Sequence, residues 1–430
     1  MKFSIKSCLS TICLSLGIAA APALASQTGA VFVATNHNNT STAAGSSEPA
    51  NQVVMYRRAN DGTLSMIKSY ATGGQGSGPG QRFAGDGLGS SHSVQLSHNK
   101  RWLFVTNAGS DTLSLFEVRK AGLKLRDVVP TGDGSPSHRF PNSVTQHGRL
   151  VYVLNGAGNG SITGFRLRHN GSLVPIPYST RELAANQTRF APDALFNPTQ
   201  VSFTPDGRQL VVSIKDGPAE GAIPGVIPTG PGRVLVFGVD QYGRPSQNFT
   251  QTDFDNRGPF GFSFDRSGNL LVALFIGGPD LTGAAGSFRI NSDNTLTPIT
   301  PLVDAAGEVD LCWLENNGRY AYGANYTTGV ISSFRIGADG SLTLLEAAAG
   351  LTDETDVIQG STPLDLGVSA DGQFLYNVLP GSGAVAGWQI NHNGSLTKIG
   401  EFGGLGQTIN GDKAPFDFSP LESPAGIAVY

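Results

Sequence analysis

The decapeptide "ADGSLTLLEA", Ala338 to Ala347, decides the fold because it does not stand alone. It recurs as "NDGTLSMIKS" from Asn60, "HNGSLVPIPY" from His169, "SDNTLTPITP" from Ser292 and "HNGSLTKIGE" from His392. Degenerate copies, "KAGLKL" from Lys120 and "QYGRPS" from Gln241, bring the number to seven. Each is a polar corner, usually Asp-Gly or Asn-Gly, between two strand-like runs. These residues tolerate the positive φ that a tight hairpin needs.

A second corner alternates with the first. It reads "SHNKRWLFV" from Ser97, "QHGRLVYVL" from Gln146, "PDGRQLVVS" from Pro205, "RSGNLLVAL" from Arg266, "NNGRYAYGA" from Asn316 and "ADGQFLYNV" from Ala370. A short strand, often opened by Pro, precedes each: "SHSVQLS" from Ser91, "PNSVTQ" from Pro141, "PTQVSFT" from Pro198, "PFGFSFD" from Pro259, "EVDLCWL" from Glu308 and "PLDLGVS" from Pro363. A seventh copy, "PAGIAVY" from Pro424, has no second corner after it. Successive starts lie 49 to 61 residues apart. Units of that length with four strands each predict an all-β, seven-bladed β-propeller with four-stranded blades. "TGAVFVATN" from Thr28 reads as the second strand of a blade and "PAGIAVY" as the first. Pairing of these N- and C-terminal strands would close the ring and leave no exposed sheet edge. The repeated corner is therefore expected to be architecture.

The bulk numbers agree. Gly is abundant (57 of 430 residues) and charged residues are few (14%), which suits a turn-rich globular chain. A net charge of −4 gives no reason to expect nucleic acid as a partner. Residues 1–25 read as a signal peptide: Lys2 and Lys6, an apolar run from Ile12 to Ala21, and "ALA" ending at Ala25. Residues 26–430 would then form the propeller, secreted or periplasmic. The apolar run is short for a membrane span, and no later one is longer. Cys8 and Cys13 would leave with the signal, and Cys312 would remain as a buried apolar residue without a disulfide.

"WLFVTNAGSDTLSLFEV" from Trp102, "VYVLNGAGNGSITGFRL" from Val151 and "YAYGANYTTGVISSFRIGADGSLTLL" from Tyr320 resemble the seven-bladed lactonase family. That family includes the propeller-type 6-phosphogluconolactonases and the carboxymuconate-lactonising enzymes. "LVPIPYSTREL" from Leu173 and "GPFGFSFDRSGNLLVA" from Gly258 look most like its secreted, uncharacterised branch. The resemblance implies that a small lactone is hydrolysed or formed, or that a small carboxylate is acted on, at the mouth of the propeller channel. It also implies an Arg-His pair and a Glu in the third blade. The matching positions here are Pro141-Asn142-Ser143 and Asn155-Gly156-Ala157. A secreted propeller that binds a ligand or protein partner without turnover is the alternative.

Lactone chemistry needs a cation for the developing oxyanion and a base for water. Propeller ligands sit over the channel, so polar residues opening the inner strands or following the second strands are the candidates. His92 is a candidate base, or a channel histidine. Lys215 stands where the matching positions carry Asn36, Asn107, Asn155 and Asn325, and is a candidate cation for a carboxylate. Those asparagines are candidate substrate ligands, or turn caps. Asp310 and Asp365 occupy equivalent slots and are candidate acid/base carboxylates, or backbone-bonding aspartates; Glu308 is a weaker candidate of the same kind. Arg82, in a Gly-rich insert, and His138 with Arg139 are candidate substrate-binding groups, or loop residues. No zinc spacing, phosphate-binding loop or Gly-x-Ser-x-Gly elbow occurs, so no metal or other cofactor is expected.

Overall fold

A computed structural model describes Met1 and residues 27–38, 50–78, 86–187, 196–215, 231–255, 257–277, 282–352, 362–405 and 424–430. The signal-like segment and Arg82 lie outside the described residues.

Seven antiparallel sheets surround an axis. From the axis outward, blade 1 comprises Ala425–Val429, Gln27–Ala34, Gln52–Ala59 and Leu64–Ala71; blade 2 comprises Val94–Leu96, Trp102–Asn107, Thr112–Arg119 and Gly122–Pro130. The inner strands of blades 3 to 7 are Pro141–His147, Pro198–Phe203, Arg257–Phe264, Leu311–Asn316 and Leu366–Val368. In blade 3 an extra pair of residues, Arg181–Glu182, adds to the third strand, Ser161–Leu167. Ring closure is as the sequence implies: Val31, Phe32 and Val33 pair with Val429, Ala428 and Ile427.

The second strands of blades 2, 4, 6 and 7 are buried along nearly their whole length because each sheet is covered on both faces. In "WLFVTN" of blade 2, Leu103 and Val105 pack with Val53 and Met55 of blade 1. Trp102 and Phe104, pointing the other way, pack with Val151 and Val153 of blade 3. Blade 4 repeats this: Leu210 and Val212 face blade 3, and Val211 faces blade 5.

The repeated corner carries a second duty. Asp61, Asn170, Asp293, Asp339 and Asn393 each accept from the backbone N–H two residues on, which fixes the turn. The turn then docks on the preceding blade. Tyr376 of blade 7 donates to the Gly62 carbonyl at 2.7 Å, Tyr152 of blade 3 to Gly243 at 2.6 Å, and Tyr322 of blade 6 to Gly394 at 3.1 Å. Gly62 has φ 84°, and a Cβ there would stand 2.5 Å from the Phe374 ring. Turn conformation and close approach both demand glycine at that point.

One boundary differs from the sequence reading. The outer strand of blade 5 runs from Leu296 to Val309, with Val309 paired to Thr282. Glu308 therefore belongs to that strand and not to the inner strand of blade 6. Asp310, at φ 61°, turns the chain between them.

Candidate functional site at one end of the channel

Residues preceding the inner strands and following the second strands meet at one end of the ring. Two polar groups form there, separated by a segment of chain that lies across the axis.

That segment is Leu88 to His92. Asn197 of blade 4 donates to the Leu88 and Gly89 carbonyls (3.2 and 2.8 Å), and Ser91 N–H to Thr199 O at 2.9 Å. Ser90 donates to Asn142 O of blade 3 at 2.6 Å, and the Trp313 indole of blade 6 to Ser90 O at 3.0 Å. His92 N–H reaches Asp365, beside blade 7, at 3.2 Å. This short segment is bonded to residues of blades 3, 4, 6 and 7. Asp86, just before it, holds the turn by accepting from Leu88 and Gly89 N–H.

The first group hangs on His92, whose backbone is left-handed (φ 64°). Val144 N–H, bonded to His92 O at 2.9 Å, and Asp365 hold that conformation from opposite sides. The Gln200 amide is oriented by Phe262: its oxygen accepts from Phe262 N–H at 2.8 Å and its nitrogen donates to Phe262 O at 2.8 Å. The same nitrogen faces His92 Nδ1 at 3.1 Å. Nδ1 is therefore an acceptor, and a neutral His92 carries its proton on Nε2, donated to Glu315 at 2.7 Å. To act as a base at Nδ1, His92 would have to displace Gln200. Asp365, buried between His92 N–H and Gly426 N–H (2.9 Å), is pushed up to about 7 by burial.

The second group surrounds Lys215, which follows the second strand of blade 4, Gln209–Ile214. Gly258 lets blade 5 come close, since a Cβ there would stand 2.4 Å from Lys215 O and 2.6 Å from the Phe275 ring. The ammonium lies 3.8 Å from the Phe275 ring centre, 4.6 Å from that of Phe260 and 4.0 Å from Cys312 Sγ. It is 6% exposed, and no oxygen among the described residues accepts from it. Asp310 accepts from Thr327 Oγ1. Burial pushes its carboxyl up, and the Lys215 charge opposes the push. Asp86 is likewise raised to about 6 by burial, against its turn N–H bonds and Lys215. The Cys312 thiol is pushed up by burial, which disfavours a thiolate. The Tyr326 hydroxyl is buried, senses both Asp86 and Asp310, and has no partner among the described residues.

The structure thus brings Lys215 to Asp310, and His92 to Asp365, as two groups. Asp310 and Asp365 share no hydrogen bond. The asparagines serve their own sheets: Asn107 donates to Ser114 at 2.8 Å, Asn155 to Ser161 at 3.2 Å and Asn325 to Ser332 at 2.8 Å. Asn36 N–H meets Asn51 Oδ1 at 2.9 Å. His138 faces the exposed Asp133 at 2.8 Å, and Arg139 pairs with Asp111 at 2.7 Å, in a loop beside blade 3. Sequence reasoning missed Glu315, Gln200, Asp86 and Tyr326. A charged residue on an inner strand was the available signal for Glu315. Asp86 and Tyr326 gave none, because it is the fold that brings Asp86 to Lys215 and the charges of Asp86 and Asp310 to Tyr326.

A ring of seven four-stranded antiparallel blades defines a seven-bladed β-propeller. Residues 20–275 match the model of the lactonase family, described as a seven-bladed β-propeller, and the chain belongs to that family. No curated protein sequence matches it. Among solved structures, it is similar to a candidate 6-phosphogluconolactonase of Bacteroides uniformis (16% identity, TM-score 0.61, covering 93% of this chain and 99% of that one). The periplasmic gluconolactonase of Pseudomonas aeruginosa gives 18% identity and a TM-score of 0.60, over 93% and 99% of the two chains. A hypothetical selenium-binding protein of Sulfolobus tokodaii gives 11% and 0.59, over 93% of each. At these identities the likeness is one of fold, and the fold hosts more than one chemistry.

Proposed function

We propose that this lactonase-family propeller hydrolyses a small lactone at the Lys215 end of its channel, outside the cytoplasm. The observation that carries the reading is the Lys215 ammonium, withdrawn from water without an oxygen partner among the described residues. A buried charge left unpaired is costly unless a ligand oxygen completes it. A lactone carbonyl placed there would be polarised, and its oxyanion held as charge develops. Asp310, which accepts from Thr327 Oγ1 and feels the Lys215 charge, would take a proton from the attacking water. Water adds to the carbonyl carbon as Asp310 takes its proton, the acyl–oxygen bond breaks, and Asp310 returns that proton to the leaving ring oxygen, which departs as an alcohol. The product is a hydroxy acid whose carboxylate stays opposite Lys215. The family membership and the gluconolactonase of Pseudomonas aeruginosa support the substrate class.

The test is a panel of γ- and δ-lactones followed by acid release, with Lys215→Met, Asp310→Asn and His92→Ala beside the wild type. Loss of roughly 100-fold or more in kcat/KM for Lys215→Met and Asp310→Asn, with circular dichroism unchanged, is expected. Loss confined to His92→Ala would move the base to the other group. No turnover by the wild type would favour a second reading, a propeller that binds without turnover. That reading is supported by the segment Leu88 to His92 across the axis and by Gln200 on His92 Nδ1.

A further inference from the structure

A cleft of about 990 Å³ lies on the outside of the ring, where turns of blades 3, 4 and 5 meet, away from the channel. Three arginines and two aspartates line it: Arg181, Arg208, Arg244, Asp206 and Asp240. Their situations differ. The Arg181 guanidinium is consumed by the carbonyls of Ser246, Pro245, Tyr178 and Thr180, and forms the wall. Arg208 sits 3.6 Å from Asp206 in solvent. Arg244 is held by its backbone, N–H to Asp240 at 2.8 Å, while its guanidinium makes no hydrogen bond among the described residues. Its Nε is buried and unpartnered. Its charge lies 5.9 Å from the Tyr178 ring and 5.6 Å from the Tyr242 ring.

Both rings are strongly exposed, Tyr178 at 82% and Tyr242 at 59%. Tyr178 also has a left-handed backbone, φ 59°. Such a backbone is held by its surroundings and not by propensity. An open aromatic face beside an unpaired, partly desolvated arginine, with aspartate and amide acceptors around it, describes a particular ligand. The lining carries one positive charge in excess. A phosphate would ask for several converging donors and would be repelled by Asp206 and Asp240. A singly charged, hydroxyl-rich ligand satisfies all parts: a carboxylate for Arg244, hydroxyls for the aspartates, and an apolar sugar face for Tyr178.

We propose that this cleft binds a carboxylate-bearing saccharide, a uronic acid or a chain of them, independently of the channel. Calorimetric titration of the whole chain with oligogalacturonate, galacturonic acid and a neutral galacto-oligosaccharide tests it. Oligogalacturonate is expected to bind, more weakly as salt rises, and the neutral sugar is not. Equal binding of the monomer would identify a free uronate as ligand, and binding of the oligomer alone a polysaccharide; both uphold the carboxylate site. Arg244→Gln removes no hydrogen bond of the fold and is expected to raise Kd about tenfold or more. Tyr178→Ala is expected to weaken oligomer binding similarly. Neither variant should alter lactone turnover. No binding by the wild type, equal binding of the neutral sugar, or wild-type affinity in Arg244→Gln would overturn the proposal.

Discussion

At the scale of single residues, burial decides what each polar group does. Lys215 and the asparagines occupy matching strand ends, yet the amide nitrogens of Asn107, Asn155 and Asn325 donate within their own sheets, whereas the Lys215 ammonium reaches no oxygen among the described residues. Burial also sets a pH dependence. Asp86 is raised to about 6 and Asp365 to about 7, above the ordinary 3.8 of an unfolded aspartate. Between those values the folded chain holds protons that the unfolded chain has released. Their contribution is complete below about pH 4 and is lost as pH rises through 6 and 7. The turn aspartates Asp61, Asp293 and Asp339 are lowered by their hydrogen bonds, so their contribution is lost only at more acid pH. Asp86→Asn keeps the Oδ1 acceptor for Leu88 and Gly89 N–H and removes one titration. Between pH 5 and 8 its guanidinium unfolding free energy should fall by about 1 kcal/mol less than that of the wild type. Parallel pH profiles would show that Asp86 does not titrate in this window.

At the scale of elements, the repeated corner explains its own recurrence. A turn stabilised by Asp or Asn presents a glycine carbonyl to a tyrosine of the preceding blade, so the motif locks blades in pairs. Tyr376→Phe leaves the Gly62 carbonyl unpaired at the junction of blades 7 and 1. It should cost about 1 kcal/mol in urea unfolding without changing the circular dichroism spectrum. A wild-type midpoint would mean that apolar packing alone holds the joint. The turns and the strands between them were legible in the sequence, because period-two patterning and Asp-Gly corners are local signals. The limit of blade 5 was not. "EVDLCWL" from Glu308 reads as one inner strand, but pairing of Val309 with Thr282 gives its first two residues to the neighbouring blade.

At the scale of the whole molecule, one strand pairing closes the ring. Val31, Phe32 and Val33 meet the C-terminal strand, and without it the inner edge of Gln27–Ala34 would be open. Removing residues 425–430 should lower the melting temperature by several degrees and produce oligomers in size-exclusion chromatography. A monomer melting like the wild type would show that six other blades suffice. The crossing of Leu88 to His92 belongs to this scale too, because its partners come from four blades.

The blade count, the four-strand repeat, the closure of the ring and the family can all be read along the chain. Each rests on patterns that recur along the chain and need no distant contact to be read. The sequence also marked Lys215 as a departure from its matching positions and His92 as a candidate base. Their partners, by contrast, are set by contacts between distant parts of the chain. Glu315 lies 223 residues from His92 in the chain, and Cys312 lies 97 from Lys215. Such neighbours are made by ring closure and by one loop crossing the axis, and no periodicity records which side chains a closed ring will place face to face.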